Sequence, residues 1–311
     1  MKKEMMGLIV KRDDGSEIVN YDNPSFPSYI YDGWVAPKVT WERVPHFHED
    51  IEMIAVKEGR LAYSVNGKTL ILEKGDTLFV NSNRIHFIIC LDNKLARYVV
   101  FVANPGIIST STEVQINAVF PVTQNRDISY LRFHGFNEHA ADIHRLMLEL
   151  PDIRHDAFQV TRHFLDIWDI ILRQSTSYGL INPVEEAADV HCQSFKAMMY
   201  YISQNYAEKI TLDDIADGGN ISKSLCNKLF NLYVGESPVS YVMHYRSRKA
   251  AGLLRSTDDT LSSIADRTGF CGTSYMAETF RKYIGMSPTQ YRRTWKEPGE
   301  TERVYTEACG D

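Results

Sequence analysis

The chain has 311 residues, 44% of them hydrophobic and 24% charged, with a formal net charge of −6 at pH 7. That length and apolar fraction exclude a disordered chain and allow two buried cores, and the acidic balance excludes non-specific coating of nucleic acid. Five scattered cysteines (Cys90, Cys192, Cys226, Cys271, Cys309) form no Cys-x-x-Cys pair and read as reduced thiols of a cytoplasmic protein, not as a disulfide frame.

In chain order, the apolar run Met5–Val10 ends at Lys11 and is too short for a signal peptide. No stretch approaches the length of a membrane span, so no membrane partner is expected. From about Ile9 to Val122 the hydrophobic period is short: Ile51–Val56, Leu61–Val65, Thr69–Leu72, Thr77–Val80 and Arg97–Val102 are predicted strands. Glu58-Gly59, Asn66-Gly67, Lys74-Gly75-Asp76 and Asp92-Asn93 punctuate them. Asn-Gly between alternating segments is a two-residue hairpin signal. Many short strands at near-even spacing predict an all-β jelly-roll or related barrel over residues 1–135.

Within that barrel His46-x-His48-x-x-x-Glu52-x6-Gly59 is followed by Gly75-Asp76-x4-Asn81-x-Asn83-x-x-His86. The pair resembles the two cupin motifs at correct spacing, with Asn81 and Asn83 standing where Pro and Gly are usual. His46, His48 and Glu52 share strand parity, so one face can present all three. With His86 they form a three-His, one-carboxylate set suited to a divalent metal. The same groups also suit the polar lining of a ligand pocket, or a structural remnant. Arg43 is a candidate polar clamp for such a pocket. Trp34, Trp41, Tyr63, Phe79 and Phe87 are candidate apolar walls, each also able to serve as ordinary core.

Two helical stretches follow over residues 136–177: Ala140 to Leu150, ending at Pro151, and a stripe of Phe158, Thr161, Leu165, Trp168 and Leu172. The stripe is wide enough to pack on the barrel and on a second subunit, or to close an intramolecular hairpin. Residues 178–193, with Asn182-Pro183 and Glu185-Glu186, read as a linker, and 296–311 as a tail.

Residues 194–295 say nearly the same thing twice. Thr211-Leu-Asp-Asp-Ile-Ala216 returns as Thr260-Leu-Ser-Ser-Ile-Ala265, and Phe230-x-x-Tyr233-x-Gly235-x-Ser237-Pro238-x-x-Tyr241 returns from Phe280 to Tyr291. Each copy is one supersecondary unit. Thr211 with Asp214 resembles a capping box, and Thr260 starts the second copy likewise. Leu212, Ile215 and Ala216 share a helical face, as do Leu261, Ile264 and Ala265. Gly218-Gly219-Asn220 and Gly269 supply turns between crossing helices. Each second helix starts at a Ser or Thr cap (Ser222; Thr273 or Ser274). Their core faces are Leu225, Leu229 and Phe230, then Tyr275, Thr279 and Phe280. Ser237-Pro238 and Ser287-Pro288 cap and start the next helices. Two helix-turn-helix units, about 211–232 and 260–283, are therefore predicted, in an all-α domain behind an all-β one.

This pattern resembles the DNA-binding domain of AraC-type bacterial transcription regulators from Phe195 to Trp295. It includes the connecting helix Tyr241-Val-x-x-Tyr-Arg246-x-x-x-Ala250-x-x-Leu253-Leu254 and Ile264-Ala-x-x-x-Gly269-Phe270. The resemblance implies that both second helices enter successive major-groove segments, about 34 Å apart. Carried over by position, base contacts fall on Ser224, Asn227 and Lys228, and on Ser274, Ala277 and Glu278. Glu278 departs from the basic or polar residue usual there. Asn suits adenine, Lys suits guanine, and Glu can accept from cytosine but repels phosphate. Arg281, Lys282, Arg292 and Arg293 are expected on phosphates. Residues 191–295 hold 13 Lys and Arg against 9 Asp and Glu, a modest footprint that suits a site to be read.

The resemblance also implies that the barrel is a small-molecule receptor (a sugar or related metabolite) and that the midsection helices join a homodimer on operator DNA. AraC-type sensor domains often keep the His-x-His pattern as receptors. A non-enzymatic regulator is expected, more commonly an activator, with RNA polymerase as a further partner and no obligatory cofactor. The rival reading is a cupin metalloenzyme carrying a DNA-binding module; a third is a repeat that binds protein.

Overall fold

The computed structural model describes Arg12 and residues 16–23, 25–135, 138–178 and 186–296, without the side chains of 176–178, 186–189 and 296. The Met5–Val10 run, Phe136-Asn137, residues 179–185 of the expected linker and 297–311 of the tail lie outside the described residues. Two compact units are present: one takes 16–35 and 46–178, the other 36–45 and 186–296.

The first unit begins with β1 (Ser28–Val35), β2 (Ile51–Glu58), β3 (Arg60–Val65), β4 (Lys68–Glu73), β5 (Thr77–Val80), β6 (His86–Cys90) and β7 (Ala96–Ala103). Two short helices, α1 (Thr112–Val114) and α2 (Phe120–Thr123), precede β8 (Tyr130–Phe133). The strands form two antiparallel sheets, β1-β7-β2-β5-β8 and β4-β3-β6. The β3–β4 hairpin turns on Asn66 and Gly67, with φ of 46° and 82°, the left-handed pair that a type I′ turn needs. The five strands expected from alternation are all present. β1 and β6 are further short strands of the same span, and β8 lies beyond it within the expected barrel.

Register sorts the larger sheet's residues by face, because side chains directly opposite each other share a side. Met53 lies opposite Phe79 and Phe101, and this face packs on α3 (Ala140–Ile153) and α4 (Ala157–Tyr178). Phe79 meets Trp168 edge-on at 6.2 Å, within a core that also takes Phe101, Phe133, Phe164 and Ile171. Burying an aromatic side chain there contributes on the order of 2–3 kcal/mol. Phe79 is thus a core residue between sheet and helices, not a pocket wall. α3 runs past Leu150 and carries Pro151 in its last turn.

The second unit contains α5 (Glu186–Asn205), α6 (Leu212–Gly218), α7 (Lys223–Val234), α8 (Pro238–Ser256), α9 (Leu261–Arg267), α10 (Thr273–Ile284) and α11 (Pro288–Lys296). α6 opens with the expected capping box of Thr211 and Asp214, and Thr260 caps α9 by accepting from the Ser263 amide. Ser222 caps α7. At α10 the N-cap is Gly272, with no side-chain cap bond, so Thr273 is the first helical residue and not the cap. α7 and α10 both end on left-handed glycines, Gly235 and Gly285, which carry no Cβ penalty in that conformation. Gly269 (φ +74°) is fixed twice over: a Cβ there would stand 2.6 Å from the Tyr206 carbonyl oxygen.

Candidate nucleic-acid interface and ligand cluster

Each helix-turn-helix unit buries one face of its second helix and leaves the other to solvent. In α7, Cys226, Leu229, Phe230 and Tyr233 are buried; in α10, Met276, Thr279, Phe280 and Ile284 are. Two core expectations therefore shift by one position. Tyr275 is 46% exposed while Met276 is fully buried, and Cys226, not the half-buried Leu225, fills the matching place in the first copy.

The six residues expected at bases lie off these cores. Ser224, Lys228, Ser274 and Glu278 are exposed, and Asn227 and Ala277 half-buried. Asn227 Nδ2 donates to the Lys223 carbonyl at 3.0 Å, so one of its two amide hydrogens is engaged by its own helix. Arg281, Lys282 and Arg293 are exposed. Arg292 differs: its Nη2 donates to the Asp259 carbonyl at 2.6 Å, tying α11 to the loop before α9. It is engaged within the fold and not displayed for phosphate.

Between the modules α8 buries Tyr241, His244, Tyr245, Arg246 and Arg248. Arg246 donates to the carbonyls of Tyr206 and Glu208 at 2.7 and 2.6 Å. Two bonds from the buried Arg246 to part-buried carbonyls hold the α5–α6 connection on this helix, where a Lys could not fork.

The first unit brings His46, His48, Glu52 and His86 together, with one ligand atom from each lying within 4.8 Å of all the others. β2 supplies Glu52 and β6 supplies His86, while His46 bridges His86 through paired backbone hydrogen bonds of 3.2 and 2.9 Å. Glu52 Oε2 stands 3.4 Å from His48 Nε2 and 3.2 Å from His86 Nε2. His48 Nδ1 meets the Asp50 carbonyl at 3.0 Å and His86 Nδ1 meets the Arg84 carbonyl at 2.7 Å. A carbonyl only accepts, so in both rings Nδ1 carries a proton, and Nε2 is the nitrogen turned toward Glu52, where a metal ion would take the place of a proton. That is the arrangement in which backbone partners orient histidine ligands. The donor set and its orientation fit a divalent first-row metal.

Electrostatics bind the cluster tightly. Burial opposes charge on Glu52, yet His86, His48 and His46 hold its carboxyl well below the usual range. Burial lowers His48, but the Glu52 hydrogen bond and charge outweigh it and raise the ring's pKa. Glu17 adds a second carboxylate 3.6 Å from His46 Nε2.

The sheet register adds residues that the motif does not reveal. Tyr29 and Val102 lie opposite each other and Glu52 pairs with Val102, so Tyr29 shares the Glu52 face. By the same rule Tyr31, Val100 and Ile54 form the next row, and Gly33, Tyr98 and Val56 the one after. The Tyr31 ring lies over Gly33, where a Cβ would come within 1.8 Å of it, and meets Tyr98 edge-on at 6.3 Å. Tyr63 donates its hydroxyl to Glu52 Oε1 and stacks on His86 at 6.1 Å. Burial first, then the Glu52 charge, raise the Tyr63 phenol well above its ordinary value. Of the expected walls, Tyr63 is at the cluster. Phe87 pairs with Ser64, on the opposite side of its sheet from Tyr63, and Trp34 pairs with Arg97, off the Glu52 face. Trp41 and Arg43 fall in segment 36–45, which belongs to the helical unit. The tyrosine rows alternate legibly at Tyr29-x-Tyr31, but only cross-strand register assigns them to the cluster's face.

Comparison with known proteins agrees with both halves. A family described as a helix-turn-helix domain matches residues 215–294, and a cupin domain matches 35–102. The chain is 24% identical over 253 residues to the uncharacterised HTH-type transcriptional regulator YdeC of Bacillus subtilis, covering 80% of this chain and 85% of that protein. It is 22% identical over 280 residues to the HTH-type transcriptional activator RhaS of an Enterobacter species, covering 86% and 94%. The melibiose operon regulatory protein of Escherichia coli is 29% identical over 140 residues, 45% of each chain. The chain carries a helix-turn-helix domain of AraC type behind a cupin domain, and over most of its length it is similar to transcription regulators.

Proposed function

We propose that the protein is a dimeric, ligand-controlled regulator that reads operator DNA through α7 and α10 and performs no chemistry of its own. The observation that carries this reading is the duplicated second helix, ended by a left-handed glycine in both copies, with Ser224, Lys228, Ser274 and Glu278 exposed on its outer face. Ser224, Asn227 and Lys228 read one half of the contact and Ser274, Ala277 and Glu278 the other, with Arg281, Lys282 and Arg293 on phosphates. Arg292 holds the fold. The double-stranded operator is one partner, a small-molecule effector in the first unit another, and a second copy of the chain the third. Activation through contact with RNA polymerase fits the activator named among the relatives.

The cluster of His46, His48, Glu52 and His86 is the polar end of the effector site, with Tyr29, Tyr31, Tyr63 and Tyr98 as aromatic walls. Pockets of this kind combine apolar walls with a few convergent polar groups. The inward Nε2 atoms of His48 and His86 favour a metal ion as what is bound there. Such an ion would supply a Lewis-acidic point for an oxygen-bearing effector. Among the described residues no helix is long and apolar enough to cross a membrane.

Capture of genomic fragments by the full chain tests the central reading. A recurring sequence enriched over bulk DNA is expected. Uniform recovery of all sequences would remove the reading role of both helices, and recovery of protein without DNA would favour a protein-binding repeat.

A further inference from the structure

Segment 36–45 lies in sequence between β1 and β2 of the first unit, yet it packs as part of the helical unit. Ala36, Val39, Thr40 and Val44 are buried there. The segment has its own scaffold: the Lys38 amide donates to Glu42 Oε2 at 2.8 Å, and the Glu42 amide donates to the Val39 carbonyl at 3.1 Å. Lys38 and Arg43 both hold left-handed backbone, with φ of 61° and 53°, a conformation that non-glycine residues keep only where surroundings enforce it. Within the unit, Arg248 of α8 donates to the Arg43 carbonyl at 3.5 Å. The Lys38 side chain lies against Gly285, the C-cap of reading helix α10. The segment thus touches both the connecting helix and the end of a reading helix.

Its other end is equally specific. The residue after Pro45 is His46, the first member of the ligand cluster and its least buried one. His46 is outside the named strands and is held by one backbone bridge to His86 and by Glu17. One peptide bond therefore separates a ligand atom's residue from a segment that belongs to the DNA-reading unit.

Resting on the regulator reading above, we propose that divalent metal at His46, His48, Glu52 and His86 is itself a regulatory signal, relayed by segment 36–45 to the reading helices. Coordination fixes His46, and His46 fixes the segment that follows it backwards to Arg43 and Lys38. With His46 fixed, the segment's contacts with α8 and α10 favour one arrangement of the reading helices, so metal and DNA favour each other. Linkage then requires the reciprocal effect: DNA tightens metal binding by the same factor.

The test uses cobalt(II) alone as probe, with the full chain and DNA selected from genomic capture. The visible absorption of bound cobalt reports coordination, and fluorescence anisotropy reports DNA affinity. In the wild type, cobalt should bind at one per chain and tighten DNA binding by roughly 5- to 150-fold, the usual range of coupled sites. His48→Ala should lose the cobalt spectrum and the DNA response together. Insertion of two glycines between Glu42 and Arg43 should keep the spectrum and lose the response. Glu42→Ala, a milder loosening of the same segment, should weaken it. Cobalt binding that leaves DNA affinity unchanged overturns the proposal, as does an insertion variant that keeps the full response. If the chain binds no DNA in either state, the regulator reading falls and this relay with it; if it binds DNA but no cobalt, only the relay falls.

Discussion

Arg281 and Arg292 carry the same charge and, in sequence, the same expectation of phosphate contact, but the fold separates them. Arg281 is exposed in the last turn of α10, whereas Arg292 donates to the Asp259 carbonyl. Arg281→Ala should weaken binding to every DNA sequence alike and reduce the salt slope by about one. Arg292→Ala should leave the slope intact and cost about 1 kcal/mol of stability, because a part-buried carbonyl loses a charged donor. Salt-dependent anisotropy and urea melts check both, and an equal slope change from Arg292→Ala would return that residue to the DNA. At this scale the ligand cluster was legible from the spacing of its four residues, although His46 and His48 lie outside the strands, so strand parity is not what brings them to Glu52. Trp41 and Phe79 were not, because an aromatic residue's own sequence neighbourhood does not say which of two cores receives it.

At the scale of elements, α4 shows why a wide stripe resists phasing. Val160, Phe164, Ile167, Trp168 and Ile171 are its buried apolar residues among those described. Of the expected stripe only Trp168 is fully buried, while Phe158 and Leu165 stand 76% and 45% exposed. Apolar residues cover more than one face, so period alone fixed the helix but not its inward side. The exposed pair is the face we assign to a second copy of the chain. Leu165→Glu should leave the fold intact and shift a sedimenting dimer to monomer, lowering affinity for paired half-sites more than for one. A wild type that sediments as monomer with and without DNA would move the interface or abolish it.

In α8, burial first and then the Arg248 charge depress His244 to about 4, against its Glu236 neighbour. The folded value lies below the ordinary 6.5, so the unfolded chain takes up this proton first as pH falls. The stability this group contributes is complete above about pH 6.5 and is lost between there and about pH 4, at most about 3 kcal/mol. His244→Phe keeps the ring stacked on Tyr283 and should flatten that part of the urea-midpoint profile between pH 7 and 4.5. An unchanged profile would assign the acid loss to other groups.

Across the whole molecule, the division into a β half and a helical half was legible because the hydrophobic period changes from two to 3.6 and the helical half repeats itself. Glycines at the turns and caps at helix starts were local signals, and most were read in place. Gly272 was missed as a cap because a Thr beside it looked better. Segment 36–45 could not be read at all: its apolar residues imitate barrel sequence, and only long-range packing assigns them to the helices. In the regulator reading proposed above, α7 and α10, one from each copy of the repeat, read one face of DNA. Hydroxyl-radical footprinting of the full chain on captured DNA tests it most directly. Each bound chain should protect two patches on one face, about one helical turn, or 34 Å, apart. One patch per chain, or even protection along the duplex, would contradict it.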